Sequence, residues 1–534
     1  MSTQNESSEK PAEEHNLARQ GTVVAGFTLL SRVSGLVRDV FFAYLLGASQ
    51  FADIFLVAFR IPNFFRRMFA EGAFNQAFVP VLMRYKEKGH KELLGFLAAL
   101  SGLFAVLMLA VVGVGLLLAE QLAWLFAPGF SDNEGAIAAT THLIYITFPY
   151  LGLISLVAYA GAVLNAHNHF AIPAATPILL NLVLIGAATL ALGGATGMAD
   201  AQALAWGVLL AGVVQLVFQV PSLVRLGLLP KPSLDHRHDG VRRVRTLLLP
   251  ALFASSVAQI NALVNTILAS TLMTGSITWL YYADRLLELP VGLVAIALGT
   301  VLLPHLSRLA ATGDEAWFKA TLSWGIGLGL MLGLPAAVAL YLLGEALIAS
   351  LYLSIGGGAL TAHDARMAGH ALMMFAIALP GFVLVRVLSP AFFANEDTKT
   401  PFKCAAGSVA ANLIASLATF SWFGHVGLAW ATAVAAWVNV LLLYIALRRR
   451  GMYAADAGVW SKLWRSLVAS SLLGLGLYFG FGDWQWLEMD PTLRLVWVLG
   501  ISAGGVIAYV ALLFLLGVRP HDLQHSAVQK VAHE

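Results

Sequence analysis

Long apolar runs constrain this chain more than any other feature. Between residues 21 and 517 lie roughly fourteen stretches of about 20 mostly apolar residues, each long enough for a helix to cross a bilayer, separated by short polar loops. They fall at 21–47, 51–84, 92–119, 136–163, 171–194, 201–225, 244–271, 277–308, 317–343, 365–394, 401–422, 426–447, 460–482 and 493–517. The runs are continuous rather than alternating segments of about 10 residues, so they predict α-helices and argue against a membrane β-barrel. Composition agrees. Of 534 residues 59% are hydrophobic and 11% charged, and a mean hydropathy of +0.78 belongs to an integral membrane protein. Residues 1–20 are polar and mixed in charge, which predicts a disordered cytoplasmic tail rather than a cleavable signal peptide. Cys404 is the only cysteine, excluding structural disulfides within the chain.

Lysine and arginine set the orientation. With the N-terminus taken as cytoplasmic, the inside loops and tails collect clusters such as Arg84, Lys86, Lys88 and Lys91, then Arg237, Arg242, Arg243 and Arg245, then Arg448, Arg449 and Arg450, whereas the outside loops hold Arg366 and Arg494 alone. Such a bias predicts both termini in the cytoplasm and an even number of spans.

An internal repeat gives the architecture. Pro149 matches Pro380, Asn165 matches Asn395, Pro173 matches Pro401 and Asn181 matches Asn412, all at offsets near 230. LAWGVLLAGVVQ from Leu204 likewise echoes LAWATAVAAWVN from Leu428. Six spans separate the partners, an even number that preserves orientation, so the repeat is parallel. The prediction is an all-α integral membrane protein of about 14 helices: an N-lobe (21–225, helices 1–6), a C-lobe (226–450, helices 7–12), two appended helices (451–517) and a cytoplasmic tail (518–534). Transporters built this way bind substrate between lobes near mid-membrane and rock one lobe against the other.

Seven arginines belong to no loop: Arg32, Arg38, Arg60, Arg66, Arg67, Arg285 and Arg386 all fall within predicted spans. Ionisable groups at that depth mark function by default. Arginine carries a planar fork suited to bidentate contact with phosphate or carboxylate oxygens. Arg32 and Asp39, seven apart, share a helix face, so Arg32 either holds Asp39 or meets a ligand, while Arg38 points roughly 120° from Arg32 and is open to a ligand. Asp53, Arg60 and Arg67 also repeat at seven, with Glu71 four beyond Arg67. Pro62 in RIPNFFRR is expected to kink or break the second span, and Pro290 does the same beside Asp284, Arg285 and Glu288 in YYADRLLELP. One reading is that these charges pair among themselves and only specify packing, and for Arg67 with Glu71 and for Asp284 it weighs evenly. The set as a whole favours an anionic ligand, because seven arginines face the five carboxylates Asp39, Asp53, Glu71, Asp284 and Glu288.

Other motifs are weaker. His167 and His169 read as solvated loop residues, not metal ligands. Gly325, Gly327 and Gly329 in GIGLGL read as a helix-packing stripe. With no GxxxxGK[ST] and no HExxH, no cofactor, metal or nucleic-acid partner is expected, and the energy source is an ion gradient, the membrane potential or the substrate gradient.

The phrases SRVSGLVRD, FADIFLVAFRIPNFFRRMFAEGAFNQAFVPVL and YYADRLLELPVGLVAIALGTVLLP resemble the MurJ (MviN) family of bacterial lipid II flippases, within the superfamily of multidrug and oligosaccharide exporters. The resemblance runs from about residue 20 to 517. It implies a multi-pass protein of the bacterial cytoplasmic (inner) membrane that moves the undecaprenyl-diphosphate-linked peptidoglycan precursor, lipid II, from the inner to the outer leaflet for cell wall synthesis. Membrane lipids and cell wall synthesis proteins are its implied neighbours. By motif, the family's required arginines and aspartate fall on Arg32, Arg38, Arg66, Arg285 and Asp53, with Asp39, Arg60, Arg67, Glu71, Asp284, Glu288 and Arg386 as further cavity or gating candidates. The family's last two helices hold the lipid tail in a groove. Some members bind sodium in the second lobe, where this chain's seventh span carries Asn261 and Asn265. Two alternatives stand beside this reading: an exporter of another lipid-linked oligosaccharide or drug, and a membrane enzyme acting on polyprenyl diphosphates. The enzyme would need a cluster of carboxylates or histidines that no loop offers.

Overall fold

The computed structural model describes residues 6–68, 74–131, 134–192, 198–353 and 357–519, which form helices and short connections with no strand among them. The chain packs into two compact units, residues 1–46 with 50–259 and residues 47–49 with 260–534.

Unit 1 holds α1 (Glu6–Leu46), α2 (Gln50–Arg66), α3 (Phe74–Glu87), α4 (His90–Leu117), α5 (Ala119–Phe126), α6 (Glu134–Thr147), α7 (Tyr150–Ala166), α8 (Ala171–Ala191), α9 (Met198–Arg225) and the first part of α10 (Asp239–Ser270). Its core is aromatic. Phe74 stacks on Phe104 at 4.4 Å and on Phe78 at 5.0 Å, and Phe78 stacks on Tyr159 at 5.3 Å, joining α3, α4 and α7. The loop after α9 crosses α4 at Gly102, where Ser233 donates its N–H to the Ala98 carbonyl at 2.9 Å. A Cβ at Gly102 would lie 2.1 Å from the Ser233 carbonyl oxygen, so glycine is what lets the loop sit there.

Unit 2 holds the remainder of α10, α11 (Ser276–Thr312), α12 (Glu315–Leu342), α13 (Gly344–Tyr352), α14 (Ala362–Phe393), α15 (Lys399–Arg449), α16 (Ala457–Phe481) and α17 (Pro491–Leu515). The glycine stripe of α12 is a packing surface, as expected: Gly325 faces Leu302 and Val387, and Gly329 faces Val383. Gly327 instead admits the aliphatic stem of Lys462, whose Cδ would be 2.6 Å from an added Cβ. α16 and α17 turn Phe479, Val506, Ile507 and Leu515 outward, as helices facing hydrocarbon do.

Eight helical segments among the described residues are long and apolar enough to cross a membrane, and one of them, the 51-residue α15, is divided by a non-helical glycine, Gly424 (φ 56°, ψ −135°). The expected spans 401–422 and 426–447 thus lie on either side of the break at Gly424, as two helices. Within the second expected span, 51–84, the described residues form α2 and α3, and residues 69–73 between them lie outside the described residues. Neither proline breaks its helix: α2 continues past Pro62 to Arg66 and α11 past Pro290 to Thr312. The expected disordered tail also changes, for α1 begins at Glu6. Extending an existing helix through residues such as Glu13, Ala18 and Arg19 needs no new nucleus. Two short helices, α5 and α13, were not foreseen; each follows a 28-residue helix, α4 or α12, so the repeat extends to them.

Candidate functional site

Arg38 is the best-defined charge in unit 1, and it is not left to a ligand alone, because Asp39 pairs with it. Its Nε and Nη2 both donate to Asp39 Oδ1, at 2.9 and 2.7 Å. Arg38 is 5% exposed and Asp39 is fully buried. Arg38 is therefore itself a direct partner of Asp39. Helical spacing compares Cβ directions, whereas a guanidinium at the end of a long stem can swing through the roughly 100° between neighbouring residues. The third guanidinium contact is Nη1 to Asn181 Oδ1 of α8 at 3.0 Å. Phe42 and Phe59 lie 5.4 and 6.0 Å from the guanidinium carbon and lend their ring faces. Asn181, also 5% exposed, directs its Nδ2 to the Ser31 carbonyl at 3.0 Å and to Ser34 Oγ at 2.9 Å, packing against Gly35. Arg32 is half-buried on the same helix.

Further along unit 1, Asp53 is buried in the first turn of α2, where a helix N-terminus favours a carboxylate. Pro62 has no N–H to give the Ala58 carbonyl, and Thr147 of α6 supplies the missing donor at 3.1 Å. Asn63 donates Nδ2 to the Phe59 carbonyl at 2.8 Å and accepts from Arg66 Nε at 3.1 Å. Arg60 and Arg66 are half-buried and Arg67 is exposed in a π turn at the end of α2. Glu71 lies outside the described residues, so the Arg67–Glu71 pair does too. In α8, next to Pro177, Gln215 and Gln219 of α9 donate to the Thr176 carbonyl and hydroxyl, each at 3.0 Å.

In unit 2, Arg285 Nη1 donates to Glu288 Oε2 at 2.9 Å, and the Tyr281 ring lies 5.0 Å from its guanidinium carbon. Asp284 and Arg386 are exposed on α11 and α14. The repeat partner of Asn181 behaves differently. Asn412 is 1% exposed, and neither its Oδ1 nor its Nδ2 has a hydrogen-bond partner; Ser416 Oγ, one turn on, has none either. Asn265 donates to Thr432 Oγ1 at 3.2 Å, with its own Oδ1 buried and unpartnered. Buried oxygens of this kind suit a small hard cation, but they are neutral, and among the described residues no cluster of carboxylates or histidines accompanies them. A coupling cation here would rest on neutral oxygens alone.

Asn63, Thr147 and Asn181 carry these arrangements and were not singled out from sequence as site residues. Asn181 had a signal, its match to Asn412; Asn63 sits within RIPNFFRR between the proline and the arginines; nothing local marks Thr147.

The chain's relatives complete the picture. The family description "Lipid II flippase MurJ" matches residues 42–497. A "Probable lipid II flippase MurJ" of Vibrio cholerae is 40% identical over 519 residues, 95% of this chain and 98% of that protein. The "Lipid II flippase MurJ" of Burkholderia cenocepacia is 37% identical over 512 residues, 94% of this chain and 98% of that protein. A solved structure, "Lipid II flippase MurJ, inward closed conformation", superposes with a TM-score of 0.77 at 26% identity, covering 92% of this chain and 98% of its own. An inward-facing multidrug MATE transporter of the MOP superfamily shares the fold at a TM-score of 0.64 and 12% identity, over 80% of this chain and 98% of its own. With the family matched across nearly the whole chain, this protein belongs to the MurJ family of multi-pass membrane flippases.

Proposed function

We infer that this protein is a flippase that carries lipid II across a bacterial membrane for peptidoglycan synthesis. The observation that carries this reading is the end-to-end match, at 40% identity, to a protein so described. A diphosphate is costly to place in hydrocarbon, and arginine forks can replace its hydration. We assign that work to Arg38 and Arg66 of unit 1 and Arg285 of unit 2, with Arg32 and Asp53 beside them in sequence-derived roles. The geometry supports the assignment in one respect: each of the three arginines is already oriented, Arg38 by Asp39 and Asn181, Arg66 by Asn63, Arg285 by Glu288. In this reading the phosphate oxygens exchange with the carboxylates on Arg38 and Arg285, and the isoprenoid tail stays in lipid.

The same reading places the protein in the inner membrane with both termini cytoplasmic, on the strength of the lysine and arginine bias. It makes the protein a transporter and not an enzyme, with cell wall synthesis proteins as partners. A cation gradient or the membrane potential supplies the energy.

The test is depletion in cells followed by treatment with an external enzyme that degrades lipid II. Inaccessible lipid II is expected; unchanged accessibility overturns the reading. Arg285→Ala should fail to restore accessibility while accumulating normally, since a half-exposed ion pair contributes about 1 kcal/mol or less to stability. Normal growth of that variant would make Arg285 a packing residue.

A further inference from the structure

We propose that Asn181 and Asn63 are positioning residues for anion recognition: each is a neutral amide that fixes the direction of an arginine without neutralising it. The two share one geometry. The NH2 of Asn181 is anchored on the Ser31 carbonyl and that of Asn63 on the Phe59 carbonyl, at 3.0 and 2.8 Å. Once an amide nitrogen is anchored, the position of its oxygen follows, because the group is planar and its donor and acceptor ends are distinct. The oxygen of Asn181 then meets Arg38 Nη1 and that of Asn63 meets Arg66 Nε, at 3.0 and 3.1 Å.

The choice of an amide over a carboxylate carries the argument. Aspartate has the same size and would hold a guanidinium more strongly, but it would add a negative charge that repels an incoming anion and competes for the fork. It would also lose the donors that anchor the group. Three features argue against a generic packing role. Asn181 reaches a charged group through its acceptor while its donors tie α8 to α1, so all its polar capacity converges on one arginine's setting. Asn412, its counterpart in the repeat, is equally buried yet bonds to nothing, so the fold does not by itself demand these contacts. Asn63 reproduces the device on a different helix, in a local setting produced by Pro62.

The inference rests on the reading that Arg38 and Arg66 meet the diphosphate, and the experiment separates the two. The full-length protein in nanodiscs is titrated with undecaprenyl diphosphate and, as the uncharged control, undecaprenol, alongside a thermal melt. Asn181→Asp and Asn63→Asp should each weaken diphosphate binding by about tenfold, the size of one hydrogen bond to a charged group, and leave undecaprenol binding unchanged. Where an Asp variant fails to accumulate, Asn→Ser at that position, too short to reach the guanidinium, is expected to show the same selective loss. Wild-type diphosphate affinity in these variants, or equal losses for both ligands, would overturn the proposal. If Arg38→Ala and Arg66→Ala themselves bind the diphosphate normally, the reading beneath it falls as well.

Discussion

Asn181 and Asn412 occupy equivalent places in the repeat, are both buried, and have opposite lives. In unit 1 the amide ties two helices together and holds an arginine; in unit 2 it is enclosed with no hydrogen-bond partner at all. The surroundings differ in the same sense. Unit 1 gathers its buried polarity around charge, with Arg38, Asp39 and Asp53 all inside. In unit 2 the Arg285–Glu288 pair is half-exposed, buried Arg494 rests on the Trp486 and Leu353 carbonyls rather than on a carboxylate, and the buried groups Asn412 and Ser416 are neutral. Duplication supplied two copies of a helical frame, and the interior chemistry diverged while the frame stayed. The glycines tell a parallel story: Gly102 in unit 1 makes room for a crossing main chain, and Gly327 in unit 2 for a flexible lysine stem.

These contrasts can be broken by stability measurements on the purified protein. The largest effect is expected from Arg38→Ala, which removes the guanidinium held against buried Asp39; losses from breaking a buried pair run to about 3–5 kcal/mol. Removing both charges with Arg38→Met and Asp39→Leu should restore much of that stability without restoring flipping, and a double variant as unstable as the single one would refute the pairing. Next, Asn181→Leu should cost about 1–3 kcal/mol, while Asn412→Leu, which removes unpartnered polar atoms, should be neutral or stabilising. Equal melting temperatures for the two would end the comparison. The smallest contrast is between Gly102→Ala, where main chain must move at a cost of about 1–3 kcal/mol, and Gly327→Ala, where the lysine stem can yield and a shift of about 0.5 kcal/mol is expected. Gly327→Ala proving the worse would show that Lys462 is locked in place.

The membrane helices were legible in the sequence because hydrocarbon imposes a length and a composition that few polar residues interrupt. Their ends and kinks were less so. Pro62 and Pro290 looked like breaks, yet a proline removes one donor, and a neighbouring helix can make that good. Long-range partners escaped for the same reason: nothing near Thr147 announces that it faces Ala58, 89 residues away. Arg38 was read by the angle of its Cβ, which says little about where the guanidinium of a long side chain comes to rest. The repeat and the family phrases point to the same kind of transporter, whereas the internal wiring of the charges depends on contacts between distant helices that no local phrase encodes.

Proline inside a membrane helix is commonly taken as a hinge. At Pro62 the opposite follows from the Thr147 bond. The carbonyl released by the ring is a vacancy that one particular side chain of another helix fills, so α2 and α6 are pinned in register at that depth. What loosens a helix along its own axis can thus fasten it sideways, and the segment that leads from there to Arg66 starts from a fixed point.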